Sequence, residues 1–143
     1  MIKNERQYKI TRAKADELRV AISELQHSPL PDGLSPDMRE LQLEALAGTL
    51  GDFAAELAEY DDLNNATLIE ATGIGEFPTA LIRARIARGL TQRELAERLG
   101  LAEQAIQRYE ATDYLGVSFS RLVEIAEALD LTVHYDVRLV DAS

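Results

Sequence analysis

The stretch TQRELAERLGLAEQAIQRYE, from Thr91 to Glu110, constrains this chain more than any other part of it. It describes two short helices joined by a tight turn. Thr91 caps the first, and Glu94 three residues on completes a capping box, with Leu90 and Leu95 placed as a hydrophobic staple. Ala96 is small, Gly100 allows the turn, and Ile106 points back at the first helix. The second helix can then cross the first steeply and stand out from the domain, so that its outer face has access to a DNA major groove.

Around this core the pattern from Thr79 to Leu129 is helical throughout. Leu81, Ile82, Ile86 and Leu90 mark a preceding helix stopped at Gly89. Ala102 to Tyr109 forms the third helix. Ser118 caps a fourth, whose Leu122, Ile125, Ala126 and Leu129 return to the core. The tail LTVHYDVRLV alternates Leu131, Val133, Tyr135, Val137 and Leu139 with polar residues, which predicts a half-buried β-strand. A lone strand has no partner for its edge, so pairing with a second copy through Val133, Tyr135, Val137 and Leu139 is the expected dimer contact. Packing on the chain's own surface is the alternative.

The N-terminal half reads as a helical hairpin. Residues 5–27 carry Leu18, Ile22 and Leu25 on one stripe, and HSPLPDGLS breaks the helix at Pro29, Pro31 and Gly33. The second helix starts from Ser35 with Pro36 at its first position and Asp37 in its first turn. Its Leu43, Leu46, Leu50, Phe53, Leu57 and Tyr60 step by three and four, a seam of coiled-coil period. Gly48 and Gly51 weaken it in isolation. The seam either buries the first helix's stripe or pairs with another chain. Residues 61–78 read as a linker, and Gly73-Ile74-Gly75 lacks the third glycine and the flanking elements of a nucleotide fingerprint. The expected architecture is all-α with a C-terminal β-strand: hairpin 1–72, helical domain 78–130, strand 131–143.

The net charge of −10 is unevenly spread. Residues 1–77 hold 7 basic and 15 acidic side chains and residues 112–143 hold 2 and 6, whereas residues 78–111 hold 6 arginines and 4 glutamates. A local positive strip is what phosphate contacts need, and the acidic remainder weakens non-specific binding. The chain has no cysteine, so disulfides and thiolate metal sites are excluded. The N-terminus lacks an apolar signal core, and no run approaches the roughly 18 apolar residues of a spanning helix. A soluble, cytoplasmic protein is expected.

From about Leu81 to Leu131, roughly a third of the chain, the sequence resembles the Xre/Cro-type helix-turn-helix family of phage repressors, bacterial regulators and antitoxins. The matching residues are Gly89-Leu90-Thr91-Gln92, Leu95-Ala96, Leu99-Gly100, then Ile106, Tyr109 and Glu110, and Leu122 to Leu129. The resemblance implies phosphate contacts near the second helix's N-terminus, from Gln92 with Thr91 and Arg93. It also implies that the third helix presents Ala102, Glu103, Gln104, Gln107 and Arg108 to the groove, with Ile106 and Tyr109 facing inward. Gln104 and Gln107 suit adenine, Arg108 guanine or a phosphate, and Glu103 accepts only from cytosine N4, which makes it a selectivity element. Arg83, Arg85 and Arg88 are candidate phosphate clamps, with Arg83 or Arg85 alternatively pairing with nearby carboxylates. The chain departs from the family where Ala111-Thr112-Asp113 replaces an Asn-Gly turn, which puts backbone-to-phosphate contacts from that loop in doubt. Its hairpin, opening with NERQY, resembles the extension of some antitoxin-like members.

These residues point away from catalysis. His27 and His134 lie far apart, and no metal-spaced cluster, nucleophile motif or cofactor fingerprint is present. The expected function is a homodimeric repressor on a palindromic operator, an antitoxin that also binds a toxin. The alternatives are a stand-alone regulator of the same family and a protein–protein adaptor that keeps the fold without binding DNA.

Overall fold

A computed structural model describes residues 1–141. Its helices are α1 (Glu5–His27), α2 (Pro36–Asn64), α3 (Phe77–Ala87), α4 (Gln92–Leu99), α5 (Glu103–Ala111) and α6 (Phe119–Ala128), with a single 3-10 turn at Ile74–Glu76 before α3. The chain divides into two compact units, Met1–Ile69 and the part that begins at Glu70.

In the first unit, α1 starts where the Asn4 side chain accepts the Gln7 N–H at 2.8 Å. Its partner α2 starts where Ser35 accepts from Met38 N–H at 3.2 Å, with Pro36 at the first turn. The two helices pack on each other. The Tyr8 and Tyr60 rings meet at 5.1 Å, and the Tyr8 hydroxyl donates to Asp61 at 3.2 Å. That hydrogen bond is the leading cause that raises the Tyr8 pKa. Tyr8 near the start of α1 thus meets Tyr60 near the end of α2, which makes the hairpin antiparallel. Leu18, Ile22 and Leu25 of α1 and Leu43, Leu46, Leu50 and Phe53 of α2 are half-buried. Ala15 is the buried residue of α1. No residue of α2 is fully buried, because a single helix covers one side of the seam only.

The second unit has its core in Leu81, Ile82, Leu95, Ile106, Ile125 and Leu129, all essentially without solvent contact. Four helix ends close with the same pair of backbone hydrogen bonds around a residue of positive φ: Gly89, Gly100, Asp113 and Asp130. Glycine reaches that conformation freely and aspartate does so at a cost of about 1 kcal/mol. After α5 two such residues follow in succession, Asp113 (φ 51) and Tyr114 (φ 60), with Leu115 N–H bonded to Thr112 carbonyl at 3.0 Å. This is the turn that Asn-Gly would ordinarily fill. Burial of the Tyr114 ring beside Tyr109, at 5.7 Å, offsets the strain.

The expected C-terminal strand is not there. Residues 131–141 have no regular secondary structure, and among the described residues every regular element is helical. Alternation with a period of two records polarity, but a strand exists only where a neighbouring strand accepts its hydrogen bonds. Of the four residues expected at a dimer contact, Tyr135 packs edge-on against Phe77 at 5.9 Å, whereas Val133 is exposed and Val137 and Leu139 are 90% and 97% exposed. The last two residues of that span, 142 and 143, lie outside the described residues. Two helix boundaries also shift: α2 runs on to Asn64, and α3 begins at Phe77, inside the expected linker.

A Cβ added at Gly48 or Gly51 meets nothing within 4 Å, so neither glycine is required by packing in this chain. Gly48→Ala with Gly51→Ala should stabilise the hairpin by about 2 kcal/mol, the sum of two helix-propensity differences. A thermal melt followed by far-UV circular dichroism tests this, and an unchanged or lower midpoint contradicts it.

Candidate nucleic-acid interface

The candidate interface is the outer face of α5, and the placement of that helix starts one helix earlier. Thr91 accepts the Glu94 N–H at 3.0 Å while the Glu94 carboxylate accepts the Thr91 N–H at 3.2 Å, the reciprocal capping box that fixes where α4 begins. Gly100, at φ 68, closes α4 and reverses the chain. Ala102 then opens α5 without a side-chain cap. Ile106 and Glu110, one turn apart, form the buried face of α5.

Glu110 is fully buried and meets Arg85 of α3, itself 3% exposed, in a two-pronged ion pair: Nε to Oε2 and Nη2 to Oε1, both at 2.7 Å. The Gln92 side-chain amide donates to the same Oε1 at 3.1 Å, and Arg85 Nη1 donates to the Leu90 carbonyl at 2.8 Å. One buried carboxylate therefore ties α3, the start of α4 and α5 together. The Tyr114 hydroxyl is also buried, with no hydrogen-bond partner, and its pKa is pushed up by burial first and by the Glu110 charge second.

The outer face of α5 carries Ala102, Glu103, Gln104, Gln107 and Arg108, all exposed. Gln107 donates to the Glu103 carboxylate at 3.3 Å. The residues expected to touch phosphate are placed differently from one another. Arg83 is half-buried on α3. Arg88 caps the end of α6, donating to the Leu129 carbonyl at 3.0 Å and the Asp130 carbonyl at 2.6 Å. Arg93 is exposed and pairs with Glu97 at 3.4 Å. Gln92 is 8% exposed, with its amide turned to Glu110. Arg98 joins Arg88 at the end of α6, bonded to the Ala128 carbonyl at 2.8 Å and 3.5 Å from the Asp130 carboxylate. Of the six arginines counted between 78 and 111, Arg83 and Arg108 have side chains with no hydrogen-bond or ion-pair partner among the described residues.

The sequence allowed Arg85 a carboxylate partner but did not name Glu110, although a signal for the pair exists. Arg85 follows Leu81 by four and Ile82 by three, and Glu110 follows Ile106 by four, so helical spacing puts both charges on inward faces. The described residues hold no group of three or more metal-ligating side chains, and no helix among them is long and apolar enough to cross a membrane.

A profile of the helix-turn-helix family matches residues 81–135. Two proteins, of Rickettsia conorii (strain ATCC VR-613 / Malish 7) and Rickettsia prowazekii (strain Madrid E), are each 43% identical to this chain over 51 residues, 36% of its length. Both carry the name uncharacterized HTH-type transcriptional regulator. The matched segment spans 40% and 38% of those relatives' own lengths. No solved structure matches the chain significantly.

Removing one member of the buried pair strands the other's charge. Glu110→Leu or Arg85→Met alone should cost about 3–5 kcal/mol, and the double change Arg85→Met with Glu110→Leu distinctly less than the two single costs combined. Urea unfolding of the four proteins closes the cycle; additive single effects would show that the two side chains do not act as a pair.

Proposed function

We propose that this chain, a member of the Xre/Cro helix-turn-helix family through residues 81–135, is a DNA-binding transcriptional regulator that acts as a homodimeric repressor. The observation that carries the reading is α5 itself. Its inner face is locked by Ile106 and the Glu110 ion pair, while Glu103, Gln104, Gln107 and Arg108 are exposed on the outer face. A rigid helix with a polar outer face matches what a major groove accepts. Two copies bring two such helices to successive grooves of a palindromic operator, about 34 Å apart. The exposed apolar tail, with Val133, Tyr135, Val137 and Leu139, is the self-association segment in this reading.

The electrostatics set a quantitative expectation. Arg85, Arg88 and Arg98 are committed inside the second unit, which leaves Arg83, Arg93 and Arg108 to meet phosphates. Three contacts per protomer correspond to a shallow dependence of log K on log salt, with a slope on the order of −5 for a dimer. Fluorescence anisotropy on the protein's own promoter, with random duplex of equal length as the control, should give specific binding with that slope and two chains per duplex. Gln104→Ala with Arg108→Ala should abolish the specific component without unfolding the domain. Equal affinity for both duplexes contradicts the reading.

Within this function we favour an antitoxin. Eight carboxylates against the single arginine Arg39 on α2, with a half-buried seam beside them, suit a basic protein partner. The product of a neighbouring small gene should arrest growth when expressed alone and become harmless when this chain is co-expressed. A neighbour that is harmless by itself leaves a stand-alone regulator.

A further inference from the structure

Glu103 is anomalous on a surface that meets DNA. It lies in the first turn of α5, where the helix dipole stabilises its charge, and no lysine or arginine pairs with it among the described residues. Its protein contact is the neutral amide of Gln107, at 3.3 Å. When the outer face of α5 comes to lie on base edges, this carboxylate loses water without gaining a cation from its own chain. A desolvated carboxylate without sufficient donors is costly, so the nucleic acid has to supply one.

We propose that Glu103 determines operator specificity by accepting from the N4 amino group of a cytosine, and that Gln107 is the positioning residue that holds it there. The inference rests on α5 being the recognition helix. In the major groove guanine offers two acceptors and thymine an acceptor and a methyl group. Adenine offers a donor beside an acceptor, N7, whose lone pair would face the carboxylate. In a base pair the cytosine N4 donor has an acceptor on one side only, the O6 of the paired guanine, with C5–H on the other, whereas the adenine N6 donor lies between N7 and the thymine O4. The hydrogen bond from Gln107 fixes the glutamate side chain from one turn further along. It also draws one of the amide's two N–H groups toward Glu103, so Gln107 acts with Glu103 as one acceptor-rich unit and not as an independent adenine reader. Adenine reading then falls to Gln104, which makes no such contact.

The test is selection from a randomised duplex library with the full-length wild type, Glu103→Gln and Gln107→Ala, followed by equilibrium binding to the selected duplex and to its single-base variants. All substituted side chains are exposed, and melts matching the wild type verify the fold. The wild type should require cytosine at one position of each half-site, with guanine there about tenfold weaker or worse. Glu103→Gln should lose that discrimination and keep the preferences at other positions. Gln107→Ala should reduce the discrimination but retain cytosine as the preferred base. A cytosine preference that survives Glu103→Gln, or a selected half-site with no cytosine requirement, overturns the inference and leaves DNA recognition by α5 standing. A wild type that enriches no sequence overturns both together.

Discussion

The second unit is organised around one buried carboxylate. Glu110 receives two hydrogen bonds from Arg85 and one from Gln92, and it has no solvent contact. Taking two charges out of water is expensive, and their attraction recovers that cost only where the geometry is good and the remaining donors are satisfied. Here the guanidinium fork meets both carboxylate oxygens at 2.7 Å, and its third nitrogen reaches the Leu90 carbonyl. Apolar residues of similar volume would fill the same space, but with many near-equivalent packings. A planar, two-pronged pair accepts few. The seating of α5 on α3 and α4 is therefore set by hydrogen-bond direction as well as by the fit of Ile106.

The same commitment reshapes the electrostatics. By composition, residues 78–111 look like a basic strip, with six arginines. Arg85 is neutralised within the core, and Arg88 and Arg98 satisfy carbonyls at the end of α6, where cations also complement the helix dipole. These arginines assemble the domain before any of them can bind phosphate. For the proposed regulator, acidic charge elsewhere in the chain weakens Coulomb attraction to random DNA, and direct contacts to bases would supply the discrimination.

Much of this was legible in the sequence, and what was not has a common physical cause. The capping box at Thr91, the Gly100 turn, the inward Ile106 and the Ser35-Pro36 helix start are local signals, each decided within about four residues, and the structure contains them all. The partners of Arg85 and Arg88 lie 25 and 41 residues away, where periodicity names a face but not what it meets. The tail failed for the related reason that a strand is a relation between two segments. Its alternation was real, yet within one chain Tyr135 found an aromatic neighbour on Phe77 and no backbone ladder formed.

The hairpin illustrates the same limit from the opposite side. Its seam has the period of a coiled coil, and α1 packs along it, yet α2 ends with no fully buried residue. Two helices alone make one interface, and each seam side chain keeps a flank toward water. Gly48 and Gly51 weaken α2 further and serve no contact within the chain. In the second unit, by contrast, four helices enclose a core, and even the strained Tyr114 is compensated by burial. Stability is thus concentrated where α5 must be held rigid. The N-terminal hairpin retains the larger capacity to change its packing, a capacity that would be costly in the unit that carries α5.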